Sequence, residues 1–327
     1  MGTLIEWAAF NVFLIVLVAI DLGVFSRKAH VIHVREAMIR SAIWVAAAFA
    51  FAGFMWARSG PHAALNYVNG YLVEEVLSVD NLFVMLIIFS YFQVPRNHQH
   101  RVLLWGIFGA LVMRGVFIVC GVELIERFHW LLYPLGALLV YTALKLLVSE
   151  EQYDPERNWF LRFSRRYLPI TQTYHRDRFF ARVDGRLMMT PLFVVLWVIN
   201  TTDLLFAIDS VPAVIGVVKP PDAFIVYSSN AFAIVGLRSL YFALAGMMDA
   251  FHYLRYGLAA ILAFVGIKML LDKWVDIPNW IVLAIVGGCL AISIGDSLLF
   301  KKPEAPEQSQ PDSQSLGAAG ERVETAG

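Results

Sequence analysis

The sequence predicts an all-α protein that crosses a membrane about nine times. Composition, the length of the apolar blocks and the placement of basic residues carry that expectation. Of 327 residues, 59% are hydrophobic and 16% are charged, with a mean hydropathy of +0.64. Soluble domains hold about 45–50% apolar and about 25% charged residues, so the excess must face something other than water. The apolar residues come in blocks of about 20, the length a helix needs to cross roughly 30 Å of hydrocarbon. A chain inside lipid has to satisfy its backbone internally, and blocks of this length do so as helices.

Nine spans are expected: Leu4–Phe25, Ser41–Ala57, Tyr71–Phe92, Val102–Gly121, Trp130–Val148, Thr190–Val217, Ala223–Met247, Tyr253–Leu271 and Asn279–Phe300. Residues 1–57 thus hold two N-terminal spans. Residues 71–148 form a three-span unit, 149–189 an Arg-rich loop, 190–271 a second three-span unit and 279–300 a last span. The tail 303–327, rich in Pro, Glu, Gln, Ser, Gly and Ala, reads as disordered. The first block carries no basic n-region and no small-residue cleavage site, so it reads as a retained span.

The basic residues test the span count. Taking loops alternately, one side gathers Arg27, Lys28, Arg35, Arg40, Arg96, Arg101, the arginines from Arg157 to Arg186, Arg255, Lys301, Lys302 and Arg322. The other side holds only Arg58, Arg127, Lys219 and Lys273. The bias places the N-terminus outside and the C-terminus in the cytoplasm. The loop 149–189, with Trp159, Phe160, Phe163, Phe179 and Phe180 among its arginines, has the composition of a nucleic-acid binder. Anionic lipid headgroups are the favoured partner, because positive-inside loops look like this by default. No nucleic-acid partner is expected.

Spans three to five and six to eight repeat one another. The third carries Glu74-Glu75-Val76-Leu77-Ser78-Val79-Asp80-Asn81 and the sixth carries Asp203-Leu204-Leu205-Phe206-Ala207-Ile208-Asp209-Ser210. Arg114 in the fourth span answers to Arg238 in the seventh. Tyr133 to Lys145 in the fifth answers to Tyr256 to Lys268 in the eighth. Three is an odd number of spans, so the second unit enters the membrane from the opposite side. A 3+3 inverted repeat of this kind places a substrate site near the bilayer midplane, where the units meet.

Acids inside spans cost roughly 2.5–3.5 kcal/mol each at a helix centre. They persist when paired, protonated or coordinating a cation. On a helical wheel Glu74, Ser78 and Asn81 share one face, as do Asp203, Ala207 and Ser210. Asp80 and Asp209 lie off those faces, so Pro212 is expected to loosen the helix and let the acids converge. Carboxylates, amides and hydroxyls are hard donors suited to Mn²⁺, Ca²⁺ or Mg²⁺. The expected ligands are Glu74, Asp80, Asn81, Asp203, Asp209 and Ser210, with Ser78, Asn200 and Glu75 ranked below them. Arg114, Arg238, Lys145 and Lys268 are the charge partners, although the two lysines lie near span ends, where snorkelling is an equal alternative to pairing. Asp21 and Asp296 read as interfacial. Cys120 and Cys289 form neither a disulfide framework nor a thiolate site.

At these motifs the chain resembles the TerC/Alx family of bacterial integral membrane proteins. The resemblance rests on Ala19-Ile20-Asp21-Leu22, on Glu74 with Ser78-Val79-Asp80-Asn81-Leu82-Phe83, on Phe89-Ser90-Tyr91-Phe92, and on Asp203-Leu204-Leu205-Phe206-Ala207-Ile208-Asp209-Ser210-Val211-Pro212-Ala213. Asn230 through Arg238 and Gly266-Ile267-Lys268-Met269-Leu270 also look like the family. The resemblance implies residence in the bacterial inner membrane and manganese export, with links to tellurite resistance and alkaline stress. It implies that Glu74, Asp80, Asp203 and Asp209 are the functional acids. Alx-like members often carry an acid where this chain has Asn200, leaving a site one formal charge poorer.

Two readings follow. In the first the chain is a secondary transporter that exports a divalent cation, most plausibly Mn²⁺, and holds no prosthetic group. In the second it is a membrane scaffold or stress-complex subunit whose acids and arginines are structural pairs. Homo-oligomers or a membrane complex fit either. No Walker A, HExxH or Gly-x-Ser-x-Gly motif is present, so neither ATP hydrolysis nor another enzyme activity is expected.

Overall fold

A computed structural model describes residues 3–25, 34–148, 154–167, 169–171, 178–183, 186–245, 254–275 and 277–299. The tail 303–327 and the basic residues Arg27, Lys28, Lys301, Lys302 and Arg322 lie outside the described residues.

Among the described residues the chain runs α1 (Leu4–Phe25), α2 (Val34–Ser59), α3 (Pro61–Tyr91), α4 (Arg96–Arg127), α5 (Leu132–Val148), α6 (Trp159–Tyr167), α7 (Pro191–Val217), α8 (Ala223–Ala245), α9 (Leu254–Leu270) and α10 (Asn279–Leu299). The nine expected spans each fall on one of these helices, and α6 is the additional one. By length and composition α1, α2, α4, α5, α7 and α8 can cross a membrane, and α9 and α10 contain shorter apolar stretches. The 31 residues of α3 exceed the length required, but Glu74, Glu75 and Asp80 lower its hydropathy. An antiparallel hairpin, β1 (Phe180–Val183) and β2 (Arg186–Met189), leads into α7. It departs from the expected all-α character only locally, inside the Arg-rich loop.

Helix ends follow local rules. Gly60 at φ 87° adopts a left-handed conformation that only glycine takes without strain, and Pro61 opens α3 with its ring already at a helical φ. Pro191 opens α7 in the same way. The expected break at Pro212 does not occur. α7 continues unbroken from Pro191 to Val217 with Pro212 inside it. Val211, Pro212, Ala213 and Val214 are all buried, so packing holds the helix where one ladder bond is missing.

α3 packs against α8 and α7, and α4 packs against the same two helices. α5 and α9 form the closest helix pair. A Cβ on Gly136 would lie 2.9 Å from the Gly266 carbonyl oxygen, and one on Gly266 would lie 2.7 Å from the Gly136 oxygen. Backbones this close require small residues at the crossing. At one end of the bundle Asn66 donates to the Lys219 carbonyl at 2.9 Å and accepts from Asn279 at 2.7 Å. A Lys219–Asp272 ion pair stands beside them.

Two apolar cores fill the bundle. The larger holds Val76 and Leu77 of α3, Ile118 of α4, Ala207 to Val217 of α7 and Ala231 to Val235 of α8. The smaller, at the α6 end, holds Leu82 to Phe89, Val102 and Leu103, Leu192 to Ile199 and Leu237 to Leu244. Between them lies a polar layer: Ser78 and Asn81, Asn200 to Asp203, and Arg238.

Candidate functional site

The wheel faces read from the sequence are the buried faces. Glu74, Ser78 and Asn81 are 0%, 1% and 4% exposed, and Asp203, Ala207 and Ser210 are 5%, 0% and 2%. Asp80 and Asp209 are half-buried. A period of 3.6 residues explains both results, because six residues is a poor multiple of a turn.

Arg114, 1% exposed, stands between the two buried acids. Its Nη2 donates to Asp203 Oδ1 at 2.8 Å and its Nε to Asp203 Oδ2 at 3.2 Å, a two-bond fork. Its Nη1 donates to Glu74 Oε1. One guanidinium therefore neutralises one of two carboxylates, and Glu74 Oε2 has no hydrogen-bond partner. Each of the three side chains projects from the interior of a long helix, α3, α4 or α7.

The other expected site residues go elsewhere. Among the described residues no three His, Cys, Asp or Glu side chains converge on one point, so the expected four-acid cluster is not formed. Asp209 turns toward α5, where Thr142 Oγ1 donates to it at 3.5 Å and the charge of Lys145 acts on it. Glu75 bonds with Tyr71 and keeps a buried, unpartnered Oε2. Ser210 Oγ is likewise buried without a partner. Arg238 does not share the acid pair. Its Nη2 meets Asp21 Oδ2 of α1 at 3.2 Å, so Asp21 is a half-buried counter-ion. Lys268 is not a snorkelling lysine: at 1% exposure its Nζ donates to the Gly216 carbonyl at 2.9 Å. Lys145 is exposed.

Two small cavities flank Asp203. One, of about 20 Å³, is lined by Asn200, Asp203, Met85 and Arg238 among others. The second, of about 10 Å³, is lined by Asn81, Thr202, Asp203 and Met85 among others. Spaces of this size admit a water-sized guest. Asp203 is the single carboxylate bordering either one. Asn200 donates to the Leu196 carbonyl at 3.0 Å, leaving its Oδ1 buried and unpartnered against Gly109. Asn81 Nδ2 is unpartnered as well.

The family model for "Integral membrane protein TerC family" matches residues 59–305. The chain belongs to the TerC family. Relatives extend the match to most of the length. An uncharacterized membrane protein of Myxococcus xanthus is 44% identical over 301 residues, covering 92% of this chain and 93% of its own. Proteins named as the membrane-bound redox modulator Alx, from Salmonella typhi and Escherichia coli K12, are each 41% identical over 304 residues, covering 90% of this chain and 94% of theirs. No solved structure matches. The chain is thus a multi-pass integral membrane protein of a bacterial type, as its motifs implied.

Asn158, Thr201, Thr202 and Met85 stand beside Asp203 or its cavities, and the sequence reading did not single them out. Asn158 is the N-cap of α6: its Oδ1 accepts from the N–H groups of Phe160 and Leu161 at 3.0 and 3.2 Å. Its Nδ2 donates to Thr201 Oγ1 at 3.1 Å and Thr202 Oγ1 at 3.3 Å. One amide thus starts an amphipathic helix and latches it to α7 beside Asp203. An Asn preceding an aromatic-rich turn was a legible cap signal, but its second set of bonds spans more than 40 residues. Asn158→Asp should keep the cap and lose the two donated bonds. Hydrogen exchange of the α6 amides should then accelerate nearly as much as in Asn158→Ala, and unchanged exchange in both would show that the latch is idle.

Proposed function

We propose that the chain is a secondary transporter that moves a divalent cation, foremost Mn²⁺, across the bacterial inner membrane from the cytoplasm, through a site centred on Asp203. The observation that carries this reading is a buried carboxylate bordering two water-sized cavities, one of them also lined by Asn200, whose Oδ1 is buried and unpartnered. Asp203, Asn200, Asn81 and Thr202 supply hard oxygens, the donors that Mn²⁺ shares with Mg²⁺ and Ca²⁺. Met85 borders both cavities, and its soft thioether favours a first-row transition ion over the two alkaline earths. No imidazole or thiolate lines either cavity to favour zinc or copper.

Arg114 is the resident counter-ion in this scheme. When the cation enters beside Asp203, repulsion loosens the guanidinium, and Glu74 retains it while Asp203 turns to the metal. The two three-helix units, α3–α5 and α7–α9, are read as an inverted repeat. Exchanging the units turns the α3–α8 packing into the α7–α4 packing, and both contacts are extensive. The N-terminus is assigned outside and the C-terminus in the cytoplasm on the basic-residue asymmetry. The name of the Alx relatives, a membrane-bound redox modulator, is compatible with metal handling. The cysteines of this chain, free and placed on α4 and α10, do not supply a dithiol.

The scaffold reading retains one specific support, the fully engaged Arg114. Metal quantification separates the two. At matched expression, wild type should lower cellular Mn, and Met85→Leu should still export while discriminating less against Mg²⁺ in reconstituted vesicles. Equal cellular Mn with and without the wild-type protein would rule out export.

A further inference from the structure

At the end of the bundle away from α6, α1 and α2 stand apart and leave a cavity of about 770 Å³. Its walls are apolar, chiefly Phe10 and Phe13 of α1, Ala47, Phe51 and Phe54 of α2, and Phe224 of α8. The inner wall is firm: Phe10 is 4% exposed, and Phe51 packs on Phe232 and Tyr67 with ring centroids 5.3 Å apart in each case. The outer wall is open, with Phe13 and Phe54 44% and 53% exposed. The rim is charged. Glu6 and Arg58 pair across it at 2.5 Å, and Asp222 also lines it, capping α8 through Phe224 N at 2.8 Å.

Apolar walls offer water few hydrogen-bond partners, and the medium around the spans of a membrane protein is hydrocarbon. The volume lies within the roughly 300–1,000 Å³ of small-molecule sites. The rim adds specificity: it carries one guanidinium paired with one carboxylate, and a second carboxylate that caps α8. That pattern complements a headgroup with one phosphate and one ammonium, phosphate on Arg58 and ammonium between Glu6 and Asp222. A headgroup with phosphate alone would set its charge against both carboxylates.

We propose that this cavity is a binding site for one phospholipid with an amine-bearing zwitterionic headgroup, whose acyl chain lies between α1 and α2. The lipid backs the aromatic wall that positions α8, the helix that carries Arg238. The site stands independently of the cation reading.

The full chain, extracted in mild detergent and washed, is offered equal amounts of phosphatidylethanolamine and phosphatidylglycerol and then weighed by native mass spectrometry. The expected result is one retained phosphatidylethanolamine per chain. Ala50→Trp, which puts an indole into the cavity from an exposed position on its wall, should cut retention roughly tenfold with helical content unchanged. Glu6→Gln, which removes one of the two rim carboxylates, should narrow the preference between headgroups without filling the cavity. Four outcomes would overturn the proposal: no retained phospholipid, equal retention by Ala50→Trp, phosphatidylglycerol held as tightly by the wild type, or a second copy of the chain in place of lipid.

Discussion

Arg114→Met is expected to lower stability by about 3–5 kcal/mol, the cost of breaking a buried ion pair from one side. Arg114 is 1% exposed, Glu74 is 0% and Asp203 is 5%. Without the guanidinium two carboxylates face each other in a medium that solvates neither. Thermal unfolding of the purified chain, followed by size-exclusion chromatography, reads the effect. The triple variant Glu74→Gln, Arg114→Met, Asp203→Asn should regain most of the loss, because replacing an entire buried ionic group by neutral residues of similar size is often neutral or stabilising. That recovery separates two ideas. If the triad is only a lock, the triple variant is a stable and fully functional protein. If Asp203 is a ligand, the triple variant is stable and moves no cation. A single Arg114→Met chain as stable as wild type would mean that the three side chains are not desolvated together.

Asp203→Asn is expected to abolish export while leaving insertion intact. The substitution keeps the side-chain volume and an oxygen able to accept from Arg114, so packing between α4 and α7 survives. It removes the single carboxylate that borders both cavities. Groups that merely support a metal ligand are worth about 10–100-fold in affinity, and loss of the charged ligand should exceed that. Cellular Mn at matched expression should return to the level of cells without the protein. Asp209→Asn should have a smaller effect, because Asp209 faces Thr142 and Lys145 on α5. A reversed ranking, with Asp209→Asn inactive and Asp203→Asn active, would move the site to the α5–α7 contact.

The positions of the helices were legible in the sequence because lipid imposes a one-dimensional constraint. A span must be apolar over a fixed length, and α1 begins and ends at the residues the apolar block marks. α3 was legible for a different reason. Its acids lower its hydropathy, yet their spacing resembles that of the acids on α7 closely enough to single out both helices in the sequence. Wheel periodicity also placed Glu74, Ser78 and Asn81 on one buried face. The partner of each charge was not legible. Arg114 and Arg238 follow similar motifs in the sequence, yet one holds both deep acids while the other reaches Asp21 on α1. Lys268 and Lys145 split in the same way, one buried on Gly216 and one exposed.

Sequence alone determined that this chain spans a membrane, belongs to the TerC family and places intramembrane acids on α3 and α7. Those properties depend on composition, length and local period, which no neighbouring helix can alter. Tertiary structure decided that two acids meet on one arginine instead of four meeting on an ion, and that α7 stays helical through Pro212. It also decided that Asn158 latches α6 beside Asp203. Each of these turns on which side chain lies within about 3 Å of which, across helices far apart in the chain. Distances of that order are set by helix packing, which one residue's identity does not encode.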